Sequence, residues 1–560
     1  MIAFSASLKR LVALAGVLIA LTGCAQLPKS GAIGVGPQIQ FESDSNYLYY
    51  SPSSPAEGDA PQQIVNGFLS AGNGPQNDYS VARSFLTTGF QPDWRPSNEV
   101  LIQDGVPSFR FMGESEVTAE IAVSAVIDEH GTYQAQPVGT KRYLNFALEK
   151  QAGQWRISAA PDLTVLIRPN FVVLFKAYQL YFFDQNHSTL VPDVRWFPSR
   201  TSTATHLVQA LLQGPKPWMA GALAWDFPEG TVLNIDSVTV ADGEARVDLS
   251  SQAVAATSEQ LRYMKAQIKA TLLQIPSVTT VTISINNSPQ IITDLRANIP
   301  NAIAASAVTL DATGLYGSTG KALISTTSPS GALLASATDF ALNNAADGLA
   351  LLSGGSLYRI QLNALDKSPK IVDTRLNLLP PEFDSYGYLW SVGSSTKSAW
   401  QSFGSQESHR ISSRNLLPAA VKAFSVSPDG ARVAVLYAGA KPTIWVHTVK
   451  RSQTGQPLEL GAGIKLDSIV GSPISVQWAD AVNIAVLTKF DAESVRPSVV
   501  MLGGETKFYP VVVGGAKMVA NLATPNILVI SRDGKVYAFK SNSWVQVADS
   551  VRAVHLSTLQ

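Results

Sequence analysis

Five short apolar stretches recur in the second half of the chain at a spacing that few folds accept. Strands centred near Ala350, Leu389, Ala434, Ala485 and Leu528 are separated by 39, 45, 51 and 43 residues, close to the roughly 40–50 residues of one propeller blade. One pair of copies is clear. Ser425-Val426-Ser427-Pro428-Asp429-Gly430-Ala431-Arg432-Val433-Ala434-Val435-Leu436 aligns without gaps on Val476 to Leu487, with Asp480 matching Asp429 and Ile484-Ala485-Val486-Leu487 matching the strand. Asp and Gly are the residue types that shape a tight turn before a strand. From about Ala305 to Thr558 the chain holds short apolar runs and Gly-rich turns with little helical period, so residues 305–558 are expected to form an all-β propeller of five or six blades. Two stacked sheets with Greek-key connections are the alternative, and the even spacing favours radial repetition. Trp390, Trp445, Trp478 and Trp544 lie in or beside these strands, where packing between blades is the expected role and lining a groove the alternative.

Upstream, the periods belong to two α+β domains. Pro61 sits in the first turn of a helix that places Ile64, Val65, Phe68 and Leu69 on one face, with Asp59-Ala60 as its expected cap. A short helix is expected from Asp78. The period then changes to two, with Val117, Ala119, Ile121, Val123, Ala125 and Ile127 alternating with mostly polar residues before the turn Glu129-His130-Gly131. Strands at Tyr143–Glu149 and from Trp155 follow, and the run Phe146-x-Leu148-x-Lys150-x-x-Gly153-x-Trp155-Arg156-Ile157 resembles the nuclear transport factor two-like fold. This domain is expected over 59–165.

The next, over 166–300, begins with strands at Tyr178–Phe183 and Val191–Phe197. A helix carrying Leu207, Val208, Leu211 and Leu212 follows and is stopped at Gly214-Pro215. Val232 to Val240 alternates like a strand, and Asp242-Gly243 signals a hairpin into Ala245–Leu249. Thr257-Ser258-Glu259-Gln260 forms a capping box for a helix with Leu261, Met264, Ile268, Leu272 and Ile275 at spacings of three and four, and Val281, Ile283 and Ile285 close a strand. The phrases Leu211-Leu212-Gln213-Gly214-Pro215, Phe227-Pro228-Glu229-Gly230-Thr231 and Ala245-Arg246-Val247-Asp248-Leu249-Ser250 resemble the GerMN domain, an envelope-associated module.

The N-terminus carries an address. Cys24, the single cysteine, follows Lys9-Arg10 and the uncharged stretch Leu11 to Gly23, which is too short for a confident membrane span of about 20 apolar residues and sits where a signal peptide belongs. Leu21-Thr22-Gly23-Cys24 matches a bacterial lipobox. Residues 1–23 are therefore expected to be a lipoprotein signal peptide cleaved between Gly23 and Cys24, with the Cys24 thiol carrying S-diacylglycerol and its new amine an acyl chain. The Gly-, Ser- and Pro-rich stretch 24–58 is expected to be a flexible tether, with Tyr47, Tyr49 and Tyr50 docking locally. Such an anchor places the chain on the outer face of the cytoplasmic membrane without crossing it.

In this order, a lipobox continuing Cys24-Ala25-Gln26-Leu27-Pro28-Lys29-Ser30-Gly31, a transport-factor-like domain, a GerMN domain and a propeller resemble the LpqB lipoproteins of actinobacteria. The propeller's Ser-Pro-Asp-Gly turn also resembles that of TolB-like and WD-type propellers. The LpqB resemblance implies a non-enzymatic partner of a membrane sensor histidine kinase, of the MtrB type paired with the MtrA response regulator, affecting envelope homeostasis and cell division. It carries over one functional residue, Cys24, and leaves the partner-binding residues unknown.

Composition and motif searches narrow the alternatives. Lys plus Arg equals Asp plus Glu at 42 each with no run of like charge, so nucleic acid is not an expected partner. His130, His187, His206, His409, His447 and His555 show no metal-ligand spacing, no Gly-x-Ser-x-Gly elbow occurs, and a lipidated Cys24 leaves no free thiol. No catalytic residue, metal or cofactor is expected. Glu229, Asp236 and Asp248 are the candidate carboxylates for glycan hydrolysis, with exposed polar positions the preferred reading. Trp218 and Trp225, in the loop after Gly214-Pro215, are the better aromatic binding candidates. A cell-wall factor that binds or processes peptidoglycan is the second functional reading.

Overall fold

The repeat closes into a ring. The computed structural model describes residues 52–75, 77–200, 202–300, 305–325, 328, 330–364, 368–396, 398–404, 407–523 and 526–557. Among them, six successive sheets make up the second half of the chain. Blade 1 joins Ser306–Leu310, Gly314–Tyr316 and Ala322–Ser325 to the last strand of the chain, Ala553–Ser557, which pairs antiparallel with Ser306–Leu310 and is innermost. Blades 2 to 6 run outward from the inner strands Ala337–Leu342, Glu382–Phe383, Val421–Val426, Ser472–Trp478 and Gly515–Asn521. Each inner strand packs against the next, and the last packs against Ala553–Ser557, so that no inner strand is left without a neighbouring blade. The apolar runs that revealed the repeat are the second strands, Gly348–Ser353, Leu389–Ser391, Arg432–Tyr437, Asn483–Lys489 and Asn526–Ser531.

The turn between the first and second strands of each repeat has one chemical basis. Asp429 Oδ1 accepts the Ala431 N–H at 2.9 Å, and Asp480 Oδ1 accepts the Val482 and Asn483 N–H groups at 2.8 and 2.7 Å. In blade 2 Asn343 Oδ1 accepts the Asp347 and Gly348 N–H groups, in blade 3 Asp384 Oδ1 accepts those of Tyr386 and Tyr388, and in blade 6 Asn521 Oδ1 accepts that of Ala523. In blades 2 to 6 a short carboxyl or amide side chain that satisfies backbone donors two to five residues on holds the chain in the turn after the inner strand.

The N-terminal region folds as helices on a bent sheet. Helix Pro61–Ala71 begins after Ala60 rather than Asp59, whose carboxylate instead accepts the Ala56 N–H at 2.7 Å. The short helix Ser80–Arg83 follows residues 77–79 in left-handed conformation. Long strand Glu116–Asp128 alternates in burial as expected. Val117, Ala119 and Ile121 pack with Ile64, Val65 and Phe68, whereas Ala125 and Ile127 join a different apolar cluster. Each fully buried aliphatic side chain here contributes about 1.5–3 kcal/mol. Two strands of this sheet carry no alternation in the sequence, Glu99–Gln103 and the parallel strand Thr164–Ile167.

In the middle region, the antiparallel pair Phe175–Asp184 and Leu190–Pro198 precedes helix Thr203–Leu212. Helix Ser258–Leu272 then crosses between the parallel strands Glu244–Leu249 and Thr280–Ile285. The capping box forms as expected, with Thr257 Oγ1 accepting the Gln260 N–H at 3.2 Å and the Gln260 side chain accepting the Thr257 N–H at 2.9 Å. Two expectations need correction. The alternating stretch Val232 to Val240 is mostly irregular, with strand only at Thr239–Ala241, and the helix ends at Leu272, before Ile275.

The turn Glu129-His130-Gly131 is a junction as well as a turn. Gly131 has φ +76°, its carbonyl accepts the Trp196 N–H at 2.7 Å, and a Cβ placed there would lie 2.9 Å from both the Trp196 carbonyl and the Phe197 ring. Gly131→Ala is expected to lower stability by about 1–3 kcal/mol from backbone strain, with the clash added. A denaturant titration with an unchanged midpoint would contradict this reading of the turn.

Candidate functional site

The three regions meet on one strand. Leu190–Pro198 is buried along nearly its whole length, too covered for one face of an isolated two-layer domain. Toward the N-terminal region, the Arg195 guanidinium donates to the His130 carbonyl at 2.9 Å. Toward the propeller, Trp196 Nε1 donates to the Gly503 carbonyl at 2.9 Å, and the Pro192 carbonyl accepts from Arg432 at 3.2 Å. Val194 and Trp196 share an apolar cluster with Ile127, Phe171 and Val482, one contribution from each region and the connecting helix.

Buried charge fixes the register of this strand. Asp193 pairs with Arg195 and Lys216, both at 2.8 Å. Burial pushes its carboxyl up, but the two cations outweigh that and hold it below the usual carboxylate range. Burial lowers the Lys216 ammonium, against the pull of Asp193. In blade 4, Arg432 is 1% exposed, pairs with Asp429, donates to the Ala481 carbonyl at 2.7 Å and stacks 5.0 Å from the Trp478 ring. Arg451 joins blades 3 and 4 in the same way, bonding Asp384 at 2.8 Å and the Gly430 and Gly455 carbonyls. Tyr386 beside it reaches across to Asp184 and Ser188 of the middle region.

A cleft of about 870 Å³ opens where the regions meet, walled by residues 132–137 of the N-terminal sheet, 216–219 of the middle region and 463–468 and 501–504 of the propeller. One wall is the sheet edge Tyr133–Ala135, which has a strand partner on one side only, and another is the end of the outer strand Pro457–Lys465, whose Leu458 and Leu460 bond the Ser412 backbone of blade 3. Half-buried Trp218 and Trp445 also line it, and Trp218 Nε1 is buried without a hydrogen-bond partner. Concave sites at domain junctions with a few polar groups among apolar walls are where ligands and partner segments bind.

The other residues singled out from the sequence are dispersed. Trp225 is 37% exposed and lies against Gly214 rather than in the cleft. Trp390 and Trp478 are buried between blades, and Trp544 donates to the Pro510 carbonyl at 2.8 Å. Asp248 accepts from Ser284, Asn234 and the Asn287 N–H, while Asp236 receives only Gln209 at 3.5 Å and Glu229 is exposed. His187 bonds Asp226 at 2.7 Å and stacks on Tyr263, and His447 bonds Tyr437 at 3.0 Å. Among the described residues no group of three His, Cys, Asp or Glu is placed to hold a metal, and no helix is long and apolar enough to cross a membrane. Gly23, Cys24, the expected signal peptide and the tether to residue 51 lie outside the described residues.

Together these features define a modular, mostly β protein in which an α+β N-terminal region and a second α+β region are joined to a propeller. Three family models match it in the same order: "Lipoprotein LpqB, N-terminal domain" over residues 54–172, "Sporulation and spore germination" over 179–291, and "Lipoprotein LpqB beta-propeller domain" over 314–554. The chain belongs to the LpqB lipoprotein family.

Lipoprotein LpqB of Cutibacterium acnes is 24% identical over 97% of this chain and 98% of its own length. Those of Thermobifida fusca and Bifidobacterium longum are each 30% identical, over 49% and 47% of this chain. The chain spans about half the length of these two, 46% and 49%. Among solved structures, a putative TolB from Agrobacterium tumefaciens is similar over 44% of this chain and 90% of that one, at 14% identity and TM-score 0.32. The first GerMN domain of the Bacillus subtilis sporulation protein GerM is similar over 22% and 96%, at 21% identity and TM-score 0.18.

Proposed function

We propose that this chain is a lipid-anchored accessory protein on the outer face of the cytoplasmic membrane, held by acyl chains on Cys24, that binds a sensor histidine kinase and performs no catalysis itself. The kinase is of the MtrB type, and the partnership tunes MtrA-dependent envelope homeostasis and cell division. The lipobox at Leu21 to Cys24 and the lipoprotein name of the relatives support the anchor.

The observation that carries the binding role is the junction cleft. Its walls come from all three regions, and those regions are locked together by the strand Leu190–Pro198. A partner seated there contacts the whole ectodomain at once, and it is shifted as far as its two states differ in affinity for that surface. Deleting residues 59–557 while keeping the leader and tether is expected to change kinase output and its response to envelope stress. Output that stays the same would overturn the proposal.

A second reading, binding of peptidoglycan, is favoured by the placement of Trp218 and Trp445 in that cleft, since indole faces suit sugar rings. Co-sedimentation with purified peptidoglycan separates it from the first.

A further inference from the structure

The propeller has a second concave site, remote in sequence from the junction cleft, at its centre. Two cavities of about 180 and 380 Å³ lie along its inner strands, and Glu382, Gln477 and His555 line both. These three residues come from blades 3, 5 and 1 and form the neck at which the cavities meet. On one side Lys517 of blade 6 is engaged by Asp339 of blade 2 at 2.9 Å, both facing the smaller cavity.

The neck has hydrogen-bond acceptors in excess. Glu382 is fixed from one side by the Val426 N–H, which donates to Oε2 at 2.6 Å, and by the Ser425 hydroxyl. The Ser425 oxygen in turn accepts the Trp478 N–H at 3.1 Å, which ties blades 3, 4 and 5 around the same carboxylate. No cation forms an ion pair with Glu382 among the described residues. Gln477 Oε1 is buried without a hydrogen-bond partner. A buried acceptor left unmet costs about 1–3 kcal/mol, which a ligand donor recovers.

We propose that the central channel binds a primary ammonium group carried on a peptide, seated at the neck between the Glu382 carboxylate and Gln477 Oε1. An ammonium has three donors on a compact centre, which matches two acceptors that line the same neck between two cavities. The amine is that of a lysine-type side chain or of a chain terminus.

The protonation behaviour of the neck agrees with this. Burial pushes the Glu382 carboxyl up to about 7, against the donors from Val426 and Ser425, and burial lowers the His555 imidazole to about 4. The charged or titratable groups lining the two cavities with Glu382 are Asp339, Lys422, Lys517 and His555 in the smaller and Asp480 of blade 5 in the larger, with the uncharged Gln477 of blade 5 at the neck itself. His555 stays neutral above pH 6, so Glu382 is the group that titrates near neutrality. An ammonium ligand favours its ionised form, and affinity rises by about tenfold from pH 6 to pH 8. This inference does not rest on the kinase reading, and either stands if the other fails.

The test is calorimetry on the full-length chain in detergent with N-acetyl-lysine methylamide, N-acetyl-norleucine methylamide and dialanine. The expected result is that the lysine derivative or dialanine binds at least tenfold tighter than the norleucine derivative, with affinity rising about tenfold from pH 6 to pH 8 for the lysine derivative and about fivefold for dialanine, whose α-amine is about half deprotonated at pH 8. The tighter of the two amines shows whether a side chain or a terminus is the source. Glu382→Gln is expected to weaken binding and flatten the pH profile, and Gln477→Leu to weaken it with the pH profile retained. Equal binding of the norleucine derivative, no binding of either amine at millimolar concentration, or an unchanged pH profile in a folded Glu382→Gln protein would overturn the proposal.

Discussion

Replacing Arg432 with methionine is expected to destabilise the protein by about 3–5 kcal/mol, the cost of leaving a buried partner charge uncompensated. Asp429 is fully buried, and among the described residues Arg432 is the cation paired with it. The same guanidinium satisfies the Ala481 carbonyl of blade 5 and the Pro192 carbonyl of the middle region, so its loss loosens two interfaces together. Urea unfolding reads the effect as a lower midpoint. The double variant Asp429→Asn, Arg432→Met is expected to recover a large part of the loss, because the amide keeps an acceptor for the Ala431 N–H without the buried charge. A double variant no better than Arg432→Met would show that the two carbonyl contacts, rather than the ion pair, account for the cost.

Cys24→Ser is expected to move the protein from the membrane fraction to the soluble extracytoplasmic or culture fraction almost completely. A serine hydroxyl does not form the thioether to diacylglycerol, and each lost acyl chain removes about 0.8 kcal/mol per buried CH₂. Two or more chains separate stable from transient attachment, which makes this a nearly all-or-none outcome. Fractionation with immunoblotting checks it, and mass spectrometry of the mature N-terminus shows whether cleavage follows Gly23. A Cys24→Ser protein that stays in the membrane fraction after a salt wash would contradict the proposed anchor.

Much of the propeller is legible because the second strands of blades 2 to 6 are central, buried on both faces, and read as apolar runs. The repeat seen at Ala350, Leu389, Ala434, Ala485 and Leu528 marks those strands in blades 2 to 6. The matching strand of blade 1, Ser306–Leu310, escaped the series because its inner neighbour, Ala553–Ser557, comes from the far end of the chain and no local turn announces it. Asn343, Asp384 and Asn521 are a usable signal, since each is a short polar residue at the end of an inner strand that accepts from turn N–H groups; they differ in residue type and in distance from the strand end, and lack the full Ser-Pro-Asp-Gly phrase that marks Asp429.

The junction was less legible. Nothing in Leu190–Pro198 separates a strand covered by two other domains from an ordinary core strand, and its partners Gly131, Arg432 and Gly503 are 65, 240 and 307 residues from the residues they bond. Trp218, a loop aromatic in the sequence, does line the cleft, whereas Trp225 of the same loop packs beside Gly214. Sequence spacing shows which residues share an element and not which elements share a surface. The neck of the channel was invisible for the same reason, since Glu382, Gln477 and His555 each sit on a different blade.

The central claim is that the junction cleft is where this lipoprotein holds a sensor kinase. The most direct measurement is in-cell cross-linking from a photoreactive amino acid in place of Lys465 on the cleft wall, with Ile371, exposed on the outer strand of blade 2, as the comparison position. The account predicts capture of a sensor kinase ectodomain from position 465 and not from 371. Wall fragments alone at 465, or equal kinase capture from both positions, would contradict it.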